Sequence, residues 1–268
     1  MSFSFPSYRN LCRYLGETDA LVELTELACR SFQYDAKSSP DMVAFVEDAS
    51  NRYGIKVNLS EVDLLSQHLA RSYIVTVYQS ADCFLREFRK EYCILYHKDW
   101  HDDDQSDLLT MTLNNISPEK PEAVIDNYLT SRFQYYRIVR NMVVHTKGTE
   151  QRKPLEMFSK IVTVLPEFEE LKSPLPLVNP PDAIAFDDFI CFSRVTKLIA
   201  KKICIFSKPS DTHWITSIPI NRFKRFQNNP KRMLNSIIGY ISTEFGMDTS
   251  SAKWIAQEIC KPKKDVTH

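Results

Sequence analysis

The amino-acid sequence predicts an all-α fold, a bundle of long helices with short helical extensions at both ends. Three observations support this prediction. Glycine accounts for 5 of the 268 residues, which disfavours sheet-rich and dinucleotide-binding folds because these need many tight turns. Apolar residues recur at helical spacing over long segments. These segments begin and end at proline, glycine or residues that commonly cap helices.

Changes in composition divide the chain into three predicted regions. Residues 1–58 are predicted to hold two or three short helices, the last one ended by Gly54. Residues 59–207 contain the longest uninterrupted helical patterns and are predicted to form the helical bundle. Residues 208–268 are predicted to form a small helical region of basic character.

The first long helix of the bundle is predicted over about 60–96. Ser60 is a good N-cap, and Asp63 stands where a capping box has its acid. A second helix is expected over about 107–115. A third is expected over about 121–146, and its apolar positions cover about two thirds of its circumference. So apolar a helix should be central, or divided between a core face and a dimer face.

Further helices are predicted in the remaining part of the chain. A shorter helix at about 154–171 precedes a proline-rich loop, and a fourth long helix is expected over about 187–206. In the C-terminal region Pro230 is predicted to open a helix, Gly246 to end it and Asp248 to cap the next one.

Composition gives expectations about the compartment. The 34 basic and 34 acidic residues cancel, so net charge indicates no partner. The seven cysteines are odd in number and form no C-x-x-C pair, which is typical of reduced thiols in a cytoplasmic protein. We expect neither a secretory signal nor a membrane span, because no basic segment precedes an apolar run and no stretch approaches ~20 apolar residues.

Near its end, the third predicted helix carries Arg140, Asn141 and His145 within an apolar segment. Buried polar groups are costly unless they are partnered or used. Asn141 and His145 continue a polar strip that begins with Gln134 and Arg137. Arg140 lies about 140° from His145 on an ideal helix. Both can act on one substrate atom only if the helix frays or a second subunit contributes, so we expect a homodimer.

These side chains predict RNA cleavage without a metal or cofactor. His145 would act as general base on a ribose 2′-hydroxyl, or as general acid on the leaving 5′-oxygen. Arg140 would stabilise the charge that develops on the phosphorane, and Asn141 would orient His145 or the phosphate. Because the nucleophile is the 2′-hydroxyl of the RNA itself, DNA should survive.

The pattern Arg140-Asn-x-x-x-His145 at the end of a long helix resembles the HEPN superfamily, and the resemblance covers about residues 60–206. It implies a helical bundle that dimerises with its motif helices facing each other. Many members are metal-independent endoribonucleases of toxin–antitoxin, abortive-infection and CRISPR-associated antiviral defence systems, so an antitoxin or regulatory protein is an expected partner. Some toxins of the family carry a modified Tyr two residues after the His. Lys147 stands there, so we do not expect that mode of inhibition.

Two alternatives remain open. Arg140 and His145 could be structural, since cations near a helix C-terminus interact favourably with its dipole. The chain would then be a non-catalytic module that binds a protein or RNA. Arg222, Lys224 and Arg225 alternate with phenylalanines, which suits either RNA contact or an amphipathic helix. The predicted RNA-contact residues are Gln134, Arg137, Lys147, Arg222, Lys224 and Arg225.

The acidic segment 102–104, with His97 and His101 nearby, raises the question of a metal site. It has no second pair of ligands at a recognisable spacing. We therefore interpret it as a solvated acidic turn and assign no metal ligands.

Overall fold

The computed structural model describes residues 3–57, 62–144, 152–162, 175 and 177–261. This part of the chain contains ten α-helices, three short 3-10 segments and no strand. The predicted all-α helical bundle is therefore confirmed.

The helices differ widely in length. In chain order they are α1 (Pro6–Ser38), α2 (Met42–Tyr53), α3 (Leu65–Tyr96), α4 (Leu108–Ile116), α5 (Asn127–Val144), α6 (Arg152–Val162), α7 (Phe186–Phe206), α8 (Asp211–Ser217), α9 (Pro230–Phe245) and α10 (Thr249–Cys260). The 3-10 segments are Val62–Leu64, Pro121–Ala123 and Ile220–Phe226.

Contacts between residues group the chain into two compact units. Unit 1 comprises Met1–Cys12, Ala81–Asp126 and Leu198–His268, and unit 2 comprises Arg13–Ser80 and Asn127–Lys197. Helices α1, α3 and α7 each contribute residues to both units. Each unit is assembled from separate stretches of chain, whereas the predicted regions 1–58, 59–207 and 208–268 follow the linear sequence. Those boundaries stay predictions.

Helix α1 corrects the expectation of two or three short helices in residues 1–58. It is a single helix of 33 residues, followed by α2. Its buried residues in unit 2 include Val22, Cys29 and Ala36, which are seven positions apart. Seven residues are close to two helical turns, so one apolar stripe continues along the helix and stabilises its whole length.

Helix α5 begins later than predicted. The 3-10 segment Pro121–Ala123 comes first, and α5 starts at Asn127. Val124 and Ile125 are buried in the turn between them. The predicted helix included these residues because they are apolar. A buried turn has apolar residues just as a buried helix does, so hydrophobicity alone does not distinguish the two.

In unit 2, α5 packs against its neighbours through large buried side chains. Tyr136 stacks on Phe192 of α7 with the ring centroids 4.7 Å apart, and Phe133 contacts the same ring at 5.7 Å. Phe133 also lies 6.1 Å from the ring of Tyr78 on α3. Val139 is also fully buried, so α5 has a core face, and a dimer face on the rest of the helix stays a prediction.

Unit 1 has an aromatic core centred on Trp214. Its ring contacts Phe245 at 4.8 Å and Phe3 at 5.7 Å, and its side chain is fully buried. Trp214 belongs to α8, whose N-cap is Ser210. A helix of 7 residues carries too little periodicity to be recognised in the sequence.

The predicted ends of the last helices are confirmed. Pro230 is the first residue of α9, and the side chain of Asp248 caps α10 by accepting a hydrogen bond from the Ser251 N–H. Gly246 ends α9 with a φ of 60°, in the left-handed region that glycine adopts without strain. A Cβ atom there would also lie 2.7 Å from the Ser4 hydroxyl oxygen. A glycine is therefore required at position 246, both for the left-handed backbone conformation and for the close approach of Ser4.

Candidate functional site

The C-terminal end of α5 brings Arg140 and Asn141 together. The Arg140 Nη1 atom donates a hydrogen bond to the Asn141 Oδ1 atom over 3.0 Å. Adjacent positions on a helix point about 100° apart, so the long arginine side chain bends towards the asparagine. Asn141 belongs to the predicted polar strip. The guanidinium of Arg140 thus reaches the polar strip, although the backbone of Arg140 lies beside the strip.

The surroundings of Arg140 leave its guanidinium with unused donors. Its carbon lies 5.1 Å from the centre of the Tyr78 ring, a cation–π contact with α3. Its Nε atom is buried without a hydrogen-bond partner. No carboxylate of the described residues lies within ion-pairing distance of it. A half-buried guanidinium that no described carboxylate neutralises keeps a positive charge that can attract an anion.

Gln134 and Arg137 form a second pair one turn earlier. The Arg137 Nε atom donates to the Gln134 Oε1 atom over 2.6 Å, and both side chains are half-buried. The structure therefore brings together four of the predicted residues as two hydrogen-bonded pairs along α5. This bond uses the Nε atom of Arg137 and neither of its Nη atoms.

His145 and Lys147 lie outside the described residues. The described part of α5 ends at Val144, which is 45% exposed. The distance from His145 to Arg140 therefore stays a prediction, as does the RNA contact assigned to Lys147. In sequence, His145 follows Asn141 by four residues, the spacing of one helical turn.

A buried polar network behind this end of α5 was missed in the sequence. Arg132 of α5 is 1% exposed, and its Nη1 atom donates to the Cys191 Sγ atom over 3.1 Å. Its guanidinium carbon lies 4.4 Å from the centre of the Tyr128 ring. The Tyr136 hydroxyl donates to the Asp188 Oδ1 atom over 3.0 Å. These bonds join α5 to α7 through groups that water does not reach.

Asp188 is the centre of the network because four donors converge on it. Its Oδ1 atom accepts from the Tyr136 hydroxyl and the Asn179 N–H, and its Oδ2 atom accepts from the Asn179 side-chain amide and the Ala185 N–H. The bond from Ala185 is the reciprocal half of a capping box, since Asp188 stands at the third position of α7. One fully buried carboxylate thus caps α7, holds α5 and fixes the loop at Asn179.

Burial sets the protonation of the other network members. It raises the pKa of the Tyr136 hydroxyl well above its ordinary value. It also raises the pKa of the Cys191 thiol, an effect that the nearby Arg132 partly offsets. Both groups are therefore protonated at neutral pH. Tyr136 is a hydrogen-bond donor and Cys191 is not a nucleophile, so the network positions α5 and does not perform chemistry.

Sequence patterns contain one signal of this network. Arg132 lies three residues after Leu129 and four before Tyr136, on the apolar side of the helix. A charged residue there is expensive unless it is partnered. Its hydrogen-bond partner on α7, Cys191, is about 60 positions away in sequence. The pattern therefore indicates that Arg132 is unusual without identifying its partner.

The basic stretch predicted as an RNA contact lies in unit 1, on the 3-10 segment Ile220–Phe226. Arg222, Lys224 and Arg225 are exposed, whereas Phe223 is buried and its ring lies 5.7 Å from that of Tyr240. The expected division into a buried aromatic side and an outward cationic side is present. The local helix is a 3-10 helix.

The acidic segment after α3 is held by local bonds. Arg89 contacts both carboxylate oxygens of Asp102, at 2.6 and 2.7 Å. Asp103 accepts from the Ser106 hydroxyl, which lowers the pKa of its carboxyl group. In the described residues, no group of three or more His, Cys, Asp or Glu side chains could hold a metal ion. No helix in the same residues has the length and apolar content to span a membrane.

Comparisons with known proteins add no relative to this description. Neither a family model, nor a curated protein, nor a solved structure matches the chain.

Proposed function

We propose that this protein is a metal-independent endoribonuclease of the HEPN type, with Arg140, Asn141 and His145 as its catalytic residues. The observation that carries the proposal is the state of Arg140. Its guanidinium is half-buried, bonded to Asn141 and without a carboxylate partner among the described residues. An arginine in this state can donate to a phosphate without first breaking an ion pair.

The proposed reaction is transesterification followed by product release. His145 takes the proton of the ribose 2′-hydroxyl, whose oxygen attacks the adjacent phosphorus. The bond to the 5′-oxygen breaks, and that oxygen receives a proton from a second acid. The products are a 2′,3′-cyclic phosphate and a 5′-hydroxyl end. Arg140 donates to a non-bridging oxygen, where negative charge increases in the transition state.

A homodimer would supply the second acid. His145 of one subunit would act as base while the same residue of the other protonates the leaving oxygen. This division of roles follows from the resemblance, in which motif helices face each other. The biological setting we propose is cytoplasmic toxicity or antiviral defence, held in check by an antitoxin or regulatory protein.

Incubation of the purified protein with total RNA in EDTA tests the proposal. We expect the wild type to cut RNA in EDTA, to leave DNA intact and to produce 2′,3′-cyclic phosphate ends detectable by mass spectrometry. His145→Ala and Arg140→Ala should each lower the cleavage rate by about 100-fold or more, the usual loss when a transition-state contact is removed.

The matched control is Arg13→Ala, which removes an exposed arginine of α1. It should cut like the wild type, which would show that the losses are specific to Arg140 and His145, while the inactivity of the similarly purified His145→Ala excludes a contaminating nuclease. Size measurement by light scattering at the assay concentration should give a dimer. Full cleavage by His145→Ala or Arg140→Ala would refute the assigned roles, and loss of all activity in EDTA would refute the metal-independent mechanism.

A non-catalytic role is the alternative, and the Tyr78 contact favours it. The stacking of the Arg140 guanidinium on the Tyr78 ring contributes about 0.5–2 kcal/mol to stability, whether or not Arg140 is catalytic. In that case the module would bind a protein partner or RNA. Arg140→Ala would then lower the melting temperature, and neither the wild type nor the variant would cut RNA.

A further inference from the structure

Unit 1 carries a strongly charged surface that the cleavage mechanism does not use. We define the basic surface as the five exposed side chains of Arg222, Lys224, Arg225, Lys231 and Arg232. The sequence contains no Asp or Glu between residues 212 and 243. None of the five cations forms an ion pair with a described residue. Their charge is therefore uncompensated and faces solvent.

Aromatic rings hold three of the arginines in place. The guanidinium carbons of Arg225 and Arg232 lie 4.6 and 4.9 Å from the centre of the Phe226 ring. The guanidinium of Arg222 lies 4.8 Å from the centre of the Tyr240 ring. Stacking restricts these long side chains before any ligand binds, so less conformational entropy is lost on binding.

Two of the cations stand where they weaken their own helix. Lys231 and Arg232 occupy the first turn of α9, which contains no acidic residue. Positive charge near a helix N-terminus is unfavourable because the helix dipole is positive there. The contact of Arg232 with the Phe226 ring offsets part of this effect, but no carboxylate of the described residues neutralises either cation. A bound anion would remove the unfavourable interaction.

A shallow depression, open to solvent, adjoins the two cations. It offers a volume of about 360 Å³ and is lined by Asn229, Lys231, Arg232, Asn235 and Ser236. The Asn229 Oδ1 atom caps α9 by accepting from the Arg232 N–H over 3.0 Å, which leaves its amide nitrogen to donate. The lining thus combines cations for a phosphate with amides and a hydroxyl for the edge of a base or a ribose.

We propose that the basic surface and this depression bind single-stranded RNA. The five cations contact phosphates of the strand, and one nucleotide rests in the depression. The choice of RNA as the polymer rests on the proposed function, whereas the charge and the depression are observed independently of that function. A membrane surface is disfavoured because interfacial binding requires several exposed apolar side chains, whereas Ile220 is the one large apolar side chain exposed in segment 220–232 and Phe226 is half-buried against two guanidiniums.

Fluorescence anisotropy with a labelled 12-nucleotide single-stranded RNA tests the proposal. The full-length chain with His145→Ala serves as the background, so that cleavage does not interfere. Adding Lys231→Gln and Arg232→Gln should raise the Kd about 10-fold or more at 100 mM salt. The slope of log Kd against log salt should fall by about 1.4, since each lost contact with a single strand removes about 0.7.

The control is Lys253→Gln, which neutralises one exposed lysine of α10 in the same unit. It should leave the Kd within about twofold of the background, and circular dichroism should show both variants folded. Wild-type affinity in the double variant would overturn the proposal, and so would an equal loss in the control.

Vesicles containing phosphatidylserine form the second arm of the test. Binding to these vesicles without binding to RNA would assign the surface to a membrane and overturn the proposal. Failure of the proposed function is distinguishable, because RNA would then bind with the expected salt dependence while the wild type leaves it uncut.

Discussion

Replacing Asp188 by asparagine tests the buried network most directly. The side chain keeps its size, but an NH₂ group takes the place of one carboxylate oxygen. If that oxygen is Oδ2, the new amide faces the side-chain amide of Asn179 and the N–H of Ala185, which donate to it over 2.8 and 2.9 Å. The donors of Asn179 and Ala185 then point at the new NH₂ group, which cannot accept, and both hydrogen bonds are lost.

The magnitude follows from those two bonds. A buried donor left unsatisfied costs about 1–3 kcal/mol. Ala185 is an exposed residue, so we place the contribution of its bond at the lower end. We expect Asp188→Asn to lower the free energy of unfolding by about 3 kcal/mol, which corresponds to about 6–12 °C in melting temperature for a chain of this size.

Urea denaturation followed by circular dichroism measures this difference. The matched control is Asp187→Asn, since Asp187 is also in the first turn of α7 but is exposed. It removes the same charge from the same helix end and should change stability by less than about 1 kcal/mol. Tyr136→Phe, which removes one of the four bonds, should fall between them. Equal stability of the Asp188 and Asp187 variants would refute the proposed role of the network.

Two further predictions follow from burial. Burial raises the pKa of the Cys204 thiol to about 12. Under native conditions at pH 8, Cys204 should therefore resist a thiol-specific reagent that rapidly labels the exposed Cys83. Equal labelling rates of the two cysteines by mass spectrometry would contradict this. Burial also raises the pKa of Glu91 above 4.5, although hydrogen bonds from Ser7 oppose the shift. The folded state then binds this proton more tightly than the unfolded state, so the Glu91 contribution to stability declines as pH rises above about 4.5. The unfolding free energy of wild type minus that of Glu91→Gln should fall between pH 4 and 7, and a constant difference would disprove the assignment.

Helix class and several helix ends could be predicted from the sequence because they depend on neighbouring residues. Asp107 and Asp248 cap α4 and α10 through side chains that reach N–H groups two or three positions ahead. Gly246 ends α9 because only glycine adopts its backbone conformation without strain. Helical spacing likewise placed Asn141 in a polar strip beside Arg140, although the direct bond between them depends on side-chain conformation.

The candidate site depends on residues that are distant in sequence, and only the tertiary structure identifies them. Tyr78 lies 62 positions before Arg140, yet it forms the surface on which the guanidinium stacks. Asp188 was inconspicuous in the sequence, and the position of Arg132 on the apolar side of α5 did not identify its partners, since a charged residue looks the same in sequence whether it is exposed or buried. Its cost and its partners become visible only after folding removes it from water. The sequence by itself therefore determined the helices and the residues that α5 presents, whereas tertiary packing decided which of them are enclosed, partnered or left free to bind.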